Sequence, residues 1–163
     1  MYQLGHFGAS LLAYAPLGTV VALGGHETAA VVGAVVCLSL STLPDCDQRL
    51  PAIEHRGPTH SIVFALLVGL GLAATTALFV ETSAPATALG ATTFAFVVGM
   101  LSISSHLLAD VLTPMGIRPF WPLSSRHYTR EITPAANPRA NYVLLGVGVG
   151  SILAAAAVVV AFG

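Results

Sequence analysis

The sequence contains no lysine, and charged residues of every kind make up only 8% of its 163 positions. Soluble domains carry about 25% charged residues, so this deficit excludes an ordinary water-facing surface. The six arginines form no run, and the formal net charge is -1. Nucleic-acid binding depends on clustered cations at phosphates, so no nucleic-acid partner is expected. Cysteine is scarce as well. Cys37 lies in an apolar stretch and Cys46 between two aspartates, a placement that argues against a disulfide. Both read as small filler residues, with Cys46 as a soft metal ligand the lesser alternative. No positive segment precedes the first apolar run and no small-residue cleavage site follows it, so that run is expected to be retained.

What the chain has in abundance is hydrocarbon, 55% of its residues being hydrophobic. About 20 apolar residues cross a bilayer as a helix, and five stretches approach that length: Phe7 to Gly25, Thr28 to Leu43, Thr59 to Val80, Ala88 to Leu112, and Asn141 to Phe162. The expected fold is an all-α, polytopic membrane bundle of about five transmembrane helices, forming one domain over 1–163. A proline-rich loop at about 114–140 is expected to lie along the surface as irregular backbone with short helical turns. Gly146, Gly148 and Gly150 suit close helix packing in lipid. Oligomerisation is permitted by the apolar surface and not specified by it.

Five crossings put the N-terminus, the loop from Pro44 to Pro58 and the 114–140 loop on one side. Arg49, Arg56, Arg118, Arg126, Arg130 and Arg139 all fall there. That asymmetry predicts a multi-pass protein of the plasma or inner membrane with a cytoplasmic N-terminus. Phe120, Trp121, Tyr128 and Tyr142 fall near the same face, where amphipathic rings favour the headgroup region.

His6, Asp45, Asp47, His55, His60, His106 and Asp110 belong to that end too. Gathering them beside hydrocarbon is unfavourable unless something compensates their charge, and a metal ion is the obvious candidate. His106 and Asp110 stand four apart and share a helix face; taken alone, Asp110 merely orienting His106 explains them equally well. In His55-Arg56-Gly57-Pro58-Thr59-His60-Ser61, Thr59 is read as an N-cap, with His60 and Ser61 in the first turn. Free N–H groups there, with Arg56, would suit a phosphate. The alternative is an ordinary capped helix whose Arg56 meets lipid phosphates. His55, beyond the Gly-Pro break, is read as an outer group. Of Asp45 and Asp47, one is expected to ligate and the other to support a ligand or the helix end. His6 is placed just ahead of the first helix. His26, Glu27 and Glu81, at the other end, make no comparable cluster and are read as solvated.

With Leu43-Pro44-Asp45-Cys46-Asp47, His106 through Gly116, and Pro122-Leu123-Ser124, these motifs resemble the YdjM-type family of inner-membrane proteins, regarded as metal-dependent hydrolases. The resemblance runs from His6 to about Arg126, and His-Arg-Gly-Pro-Thr-His-Ser is its most specific part. A more distant similarity is to zinc-dependent phospholipase C and related single-strand nucleases. It implies Asp45, His60 and His106 on one ion, His6 on another, and Asp110 as a bridge. The histidine that those enzymes carry soon after the bridging aspartate is absent here. Their later His-x-x-x-Glu is matched by His127 and Glu131 in spacing only.

The expected function is a membrane-embedded, metal-dependent hydrolase acting on a phosphoester, a small molecule or a membrane lipid, at the cytoplasmic face. One or two divalent ions are expected, zinc first, with manganese or iron as alternatives. His6, Asp45, His60, His106 and Asp110 are the candidate ligands. Asp47 and His55 would orient ligands or move protons, while Arg56, Ser61 and Arg126 would hold phosphate. The rival is a non-catalytic metal-binding or structural membrane protein. A transporter fits less well, since transport sites lie near the midplane.

Overall fold

The computed structural model describes residues 1–49, 55–80 and 84–163. Glu81, read above as solvated, and part of the Pro44 to Pro58 loop lie outside them. Among the described residues, helices α1 (Gln3–Leu23), α2 (Glu27–Leu40), α3 (Ile62–Phe79), α4 (Pro85–Val111) and α5 (Pro138–Phe162) form the bundle. Each is long and apolar enough to cross a membrane, α2 when taken together with the short 3-10 segment Pro44–Arg49 that follows it. No strand occurs among them, only an isolated antiparallel bridge between Ile117 and Tyr128.

Helix ends follow local chemistry and depart from the expected bounds by a few residues. Pro85 and Pro138 open α4 and α5, because a missing N–H costs nothing in a first turn. Asn137 caps α5 by accepting from Ala140 N–H at 3.3 Å. At α3 the expectation fails in detail. Pro58–His60 form a separate 3-10 turn, and Ser61, not Thr59, is the N-cap, accepting from Phe64 N–H. α1 begins earlier than expected, so His6 sits inside the helix and not ahead of it. Tyr2 anchors this start, its N–H donating to Asn141 Oδ1 of α5 at 3.0 Å.

α1 and α4 are central, α5 packing along α1 and α3 along α4, with α2 against both central helices. Close approach is bought by glycine at two crossings: a Cβ on Gly148 would collide with the backbone of Gly8, and one on Gly99 with that of Gly69. Small residues play this part wherever helices associate in lipid. Gly146 and Gly150, by contrast, face open space.

The distribution of polarity is inverted relative to a soluble protein. Leu67, Leu70, Leu78, Leu153 and Val160 are exposed, while His6, His60, His106, Asp47, Asp110 and Asn141 are among the largest fully buried side chains. Such a surface is stable only against hydrocarbon. The segment after α4 forms a strap over its end. Arg130 N–H donates to Val111 O and Ile132 N–H to Leu112 O. Gly116, at φ 53°, lets the strap turn where a Cβ would strike Tyr128 O. A backbone bond from Ile62 N–H to Pro119 O ties the strap to α3.

Candidate metal centre

His106 and Asp110 lie on the buried face of α4, one turn apart, as their spacing requires. The 3-10 segment after α2 brings in Asp45, and the turn before α3 brings in His60. One ligand atom from each of Asp45, His60, His106 and Asp110 falls within 4.8 Å of all the others. The two Nε2 atoms are 3.1 Å apart. Asp110 Oδ2 is 3.4 Å from His60 Nε2 and 3.6 Å from His106 Nε2. Asp45 Oδ1 closes the set at 3.7 and 3.8 Å from the same nitrogens.

The outer hydrogen bonds decide what those atoms present. His106 Nδ1 is 2.7 Å from Ser41 O. A carbonyl can only accept, so Nδ1 carries the proton and Nε2 presents a lone pair. His60 Nδ1 lies 3.0 Å from Thr59 Oγ1, whose own proton goes to Asp47 Oδ2 at 2.6 Å. Nδ1–H therefore donates there, and Nε2 again faces inward. Two lone pairs and two carboxylates converge, and Asp110 Oδ2 is buried with no hydrogen-bond partner among the described residues. An orphaned acceptor of this kind is unfavourable, and a divalent cation would satisfy all four groups at once. The donor set of two imidazoles and two carboxylates fits zinc, manganese or iron. Burial disfavours charge on His60, but Asp110 and Asp45 outweigh it and raise the pKa above the ordinary histidine value.

Asp110 Oδ1 faces away from the imidazole pair of His60 and His106. It accepts from Arg56 NH2 at 3.0 Å and from the Met1 α-amine. Arg56 also donates to Thr113 Oγ1 at 2.9 Å and to Gly116 O at 3.0 Å. Its guanidinium is thus a buried support for Asp110 and not a free phosphate clamp. Arg56 adopts φ 61°, a left-handed conformation unusual for a non-glycine residue, while Gly57 has φ -90°. Asp47 holds that turn by accepting from Arg56 N–H at 3.1 Å. Residues forced into this region cost of order 1–3 kcal/mol and cluster at functional sites.

The remaining sequence candidates divide. His6 stacks on His106 with ring centroids 3.7 Å apart, its Nε2 3.6 Å from Asp110 Oδ1 and 3.8 Å from Asp45 Oδ2. That nitrogen also lies 3.0 Å from Met1 O, so His6 borders the four-residue set without joining it. Asp47 and His55 stand behind His60, with His55 Nδ1 2.7 Å from Asp47 Oδ1. Ser61 Oγ donates to Pro58 O at 2.6 Å while capping α3, so its hydroxyl is committed to the turn. Arg126 is remote from the cluster. It is exposed beyond the other face of α4, over the Tyr128 ring at 5.3 Å. His127 bonds Met115 O in the same strap, so the His127 and Glu131 spacing supplies no further ligand site.

Ser41, Thr59, Thr113 and Met1 support the set as well. Ser41 and Met1 act through backbone atoms, which leave no side-chain signature, and the Thr59 hydroxyl serves His60 and not the helix end. Arg49, one of the six arginines of the topology asymmetry, also lines a cleft of about 570 Å³ with Met1, Thr42, Asp45, Cys46 and Gln48. Asp45, 24% exposed, is the one member of the set that this cleft reaches.

No curated protein and no solved structure matches the chain. Over residues 1–162 the sequence matches the family described as YdjM inner membrane protein, and the chain, with five helices long and apolar enough to cross a membrane, belongs to that family.

Proposed function

We propose that this protein is a membrane-embedded, metal-dependent hydrolase that acts on a phosphoester at its arginine-rich, cytoplasmic face. The observation that carries this reading is the asymmetry of the four-residue set. His60, His106 and Asp110 are sealed in the bundle, while Asp45 opens onto a cleft. Structural metal sites are closed, whereas catalytic ones keep a position open to water or substrate. Asp45, His60, His106 and Asp110 would hold a divalent cation, whose Lewis acidity would serve water activation and charge neutralisation at a phosphoryl group.

The chain's own groups hold and tune that centre. Ser41 O and the Thr59 and Asp47 pair fix the two imidazoles with Nε2 inward, the support that raises ligand basicity in histidine metal sites. Arg56 fixes Asp110 so that Oδ2 alone faces the ligand set. Arg49, at the cleft, takes the anion-binding part expected of Arg126, since guanidinium forks match phosphate oxygens. His55, half-exposed and bonded to Asp47, offers a proton path from His60 toward solvent.

The test starts with elemental analysis of detergent-purified wild type beside Asp110→Ala. Stoichiometric metal in the first and none in the second is expected; metal in neither sinks the reading. Metal-loaded protein is then assayed on phosphomonoesters, phosphodiesters and phospholipids, and activity should disappear in His106→Ala. Retained metal with no turnover on any of the three classes would instead identify a non-catalytic metal protein.

A further inference from the structure

A second recess lies on the other side of α4. At about 100° per residue, Leu108 falls opposite His106 and Asp110, and Ser104 and Val111 lie about 100° or more from either, so the body of the helix stands between this recess and the candidate ligands. Its volume is about 680 Å³, within the range of small-ligand sites. The wall is mostly apolar, with Ile62, Leu108, Val111 and Phe120 beside Ser104 and Thr129, and Leu108 is 67% exposed. Arg126 and Arg130 line the same recess. Both are exposed, and neither makes an ion pair with a carboxylate among the described residues, Glu131 included. Two uncompensated guanidinium groups at the end of a hydrocarbon-lined groove match one kind of molecule, with an anionic head and an apolar tail.

We propose that this groove binds one anionic phospholipid, its phosphate between Arg126 and Arg130 and an acyl chain along Ile62, Leu108 and Val111. The pairing of charge and hydrocarbon favours a lipid over a protein occupant: an apolar protein face would bury the two cations without return, and an acidic one would leave the apolar wall of Ile62, Leu108 and Val111 unmatched. Phe120 and Tyr128, packed edge to face at 5.6 Å, bracket the headgroup level. The site is independent of the hydrolase reading, since no ligand of the metal set lines it.

Trp121, the sole tryptophan, follows Phe120 directly and reports on the groove. The protein is reconstituted in phosphatidylcholine vesicles containing brominated phosphatidylglycerol or brominated phosphatidylcholine, and Trp121 quenching is titrated. Wild type should be quenched preferentially by the anionic lipid, a comparison that needs no variant. Each arginine near an anionic headgroup is worth about fivefold in binding. Arg126→Gln with Arg130→Gln should therefore lower the preference roughly 25-fold, with unchanged circular dichroism. Arg139→Gln, an exposed arginine on α5 outside the groove, should leave it intact. Equal quenching by both lipids, or equal loss in Arg139→Gln, overturns the proposal. So does protection of Trp121 from both lipids together with a doubled mass in light scattering, which would mean a second copy of the chain covers the groove.

Discussion

The two ends of the bundle hold the same residue types in opposite states. At the arginine-rich end, His6, His60, His106, Asp47 and Asp110 are buried and knitted into one network. At the other end His26 and Glu27 are exposed, and His26, at the N-cap of α2, makes no side-chain capping bond. Water satisfies the second group individually, whereas the first can be satisfied only by one another and by a cation. Burial in the bundle, more than residue identity, decides whether a histidine or aspartate is left to water or joined to its neighbours.

The largest expected break in that comparison is Asp110→Ala. It strips Arg56 and the Met1 amine of their shared carboxylate and removes one of the four candidate ligands. Breaking a buried ion pair costs about 3–5 kcal/mol, so thermal unfolding in detergent should fall steeply together with metal content. Glu27→Ala should change neither. A comparable loss in Glu27→Ala would mean that the exposed end is not the inert one.

Metal removal should act next in size, and on one end only. A ligand that binds the folded state at 100 times its Kd stabilises by about 2.7 kcal/mol. Chelation of purified wild type should lower the unfolding midpoint accordingly, and Asp110→Ala should show no response to chelator. An identical chelator shift in both proteins would detach the stabilisation from this cluster.

The bundle itself was legible in the sequence, because five apolar runs of spanning length admit little else in lipid. So was the gathering of His6, Asp45, His60, His106 and Asp110, which follows from counting crossings. Finer placement was not. Glycine takes the left-handed conformation most readily, yet beside Gly57 it is Arg56 that adopts it, because Asp47 captures its N–H and Asp110 its side chain. Arg126 was expected at the cluster. The isolated Ile117 and Tyr128 bridge, with no strand pattern around it to announce it, folds the strap so that Arg126 lands beyond the opposite face of α4.

Asp47→Ala separates holding the ion from touching it. Asp47 is 3.3 Å from His60 Nδ1 and anchors Thr59, His55 and the Arg56 backbone. Loss of such a support typically weakens metal affinity about 10–100-fold without abolishing it. Competition with a fluorescent chelator should give that intermediate value, between wild type and Asp110→Ala. An affinity equal to wild type would remove Asp47 from the centre.

Tyr14→Phe measures an ordinary buried polar contact away from the cluster. The Tyr14 hydroxyl donates to Ala30 O at 2.6 Å, one turn into α2 and toward the opposite end. Hydrogen bonds between membrane helices average about 0.6 kcal/mol and reach about 1.7. The unfolding midpoint should therefore fall slightly with metal stoichiometry unchanged. A loss of metal here would mean that packing of α1 on α2 transmits to the ligand set.

His26→Ala is the smallest expected effect and the sharpest control. Exposed histidines collect metal adventitiously, so a stoichiometry measured on wild type includes any ion held by His26 beside Glu27. Because His26 is solvated and caps nothing, its removal should leave the unfolding midpoint unchanged, as surface substitutions usually do. Metal content should stay stoichiometric and chelator sensitivity identical to wild type. If instead the ion disappears with His26 and survives in His106→Ala, the metal belongs to the solvated end. The buried network would then be a self-neutralising knot of imidazole, carboxylate and arginine, with its cation supplied by Arg56 and a protonated His60.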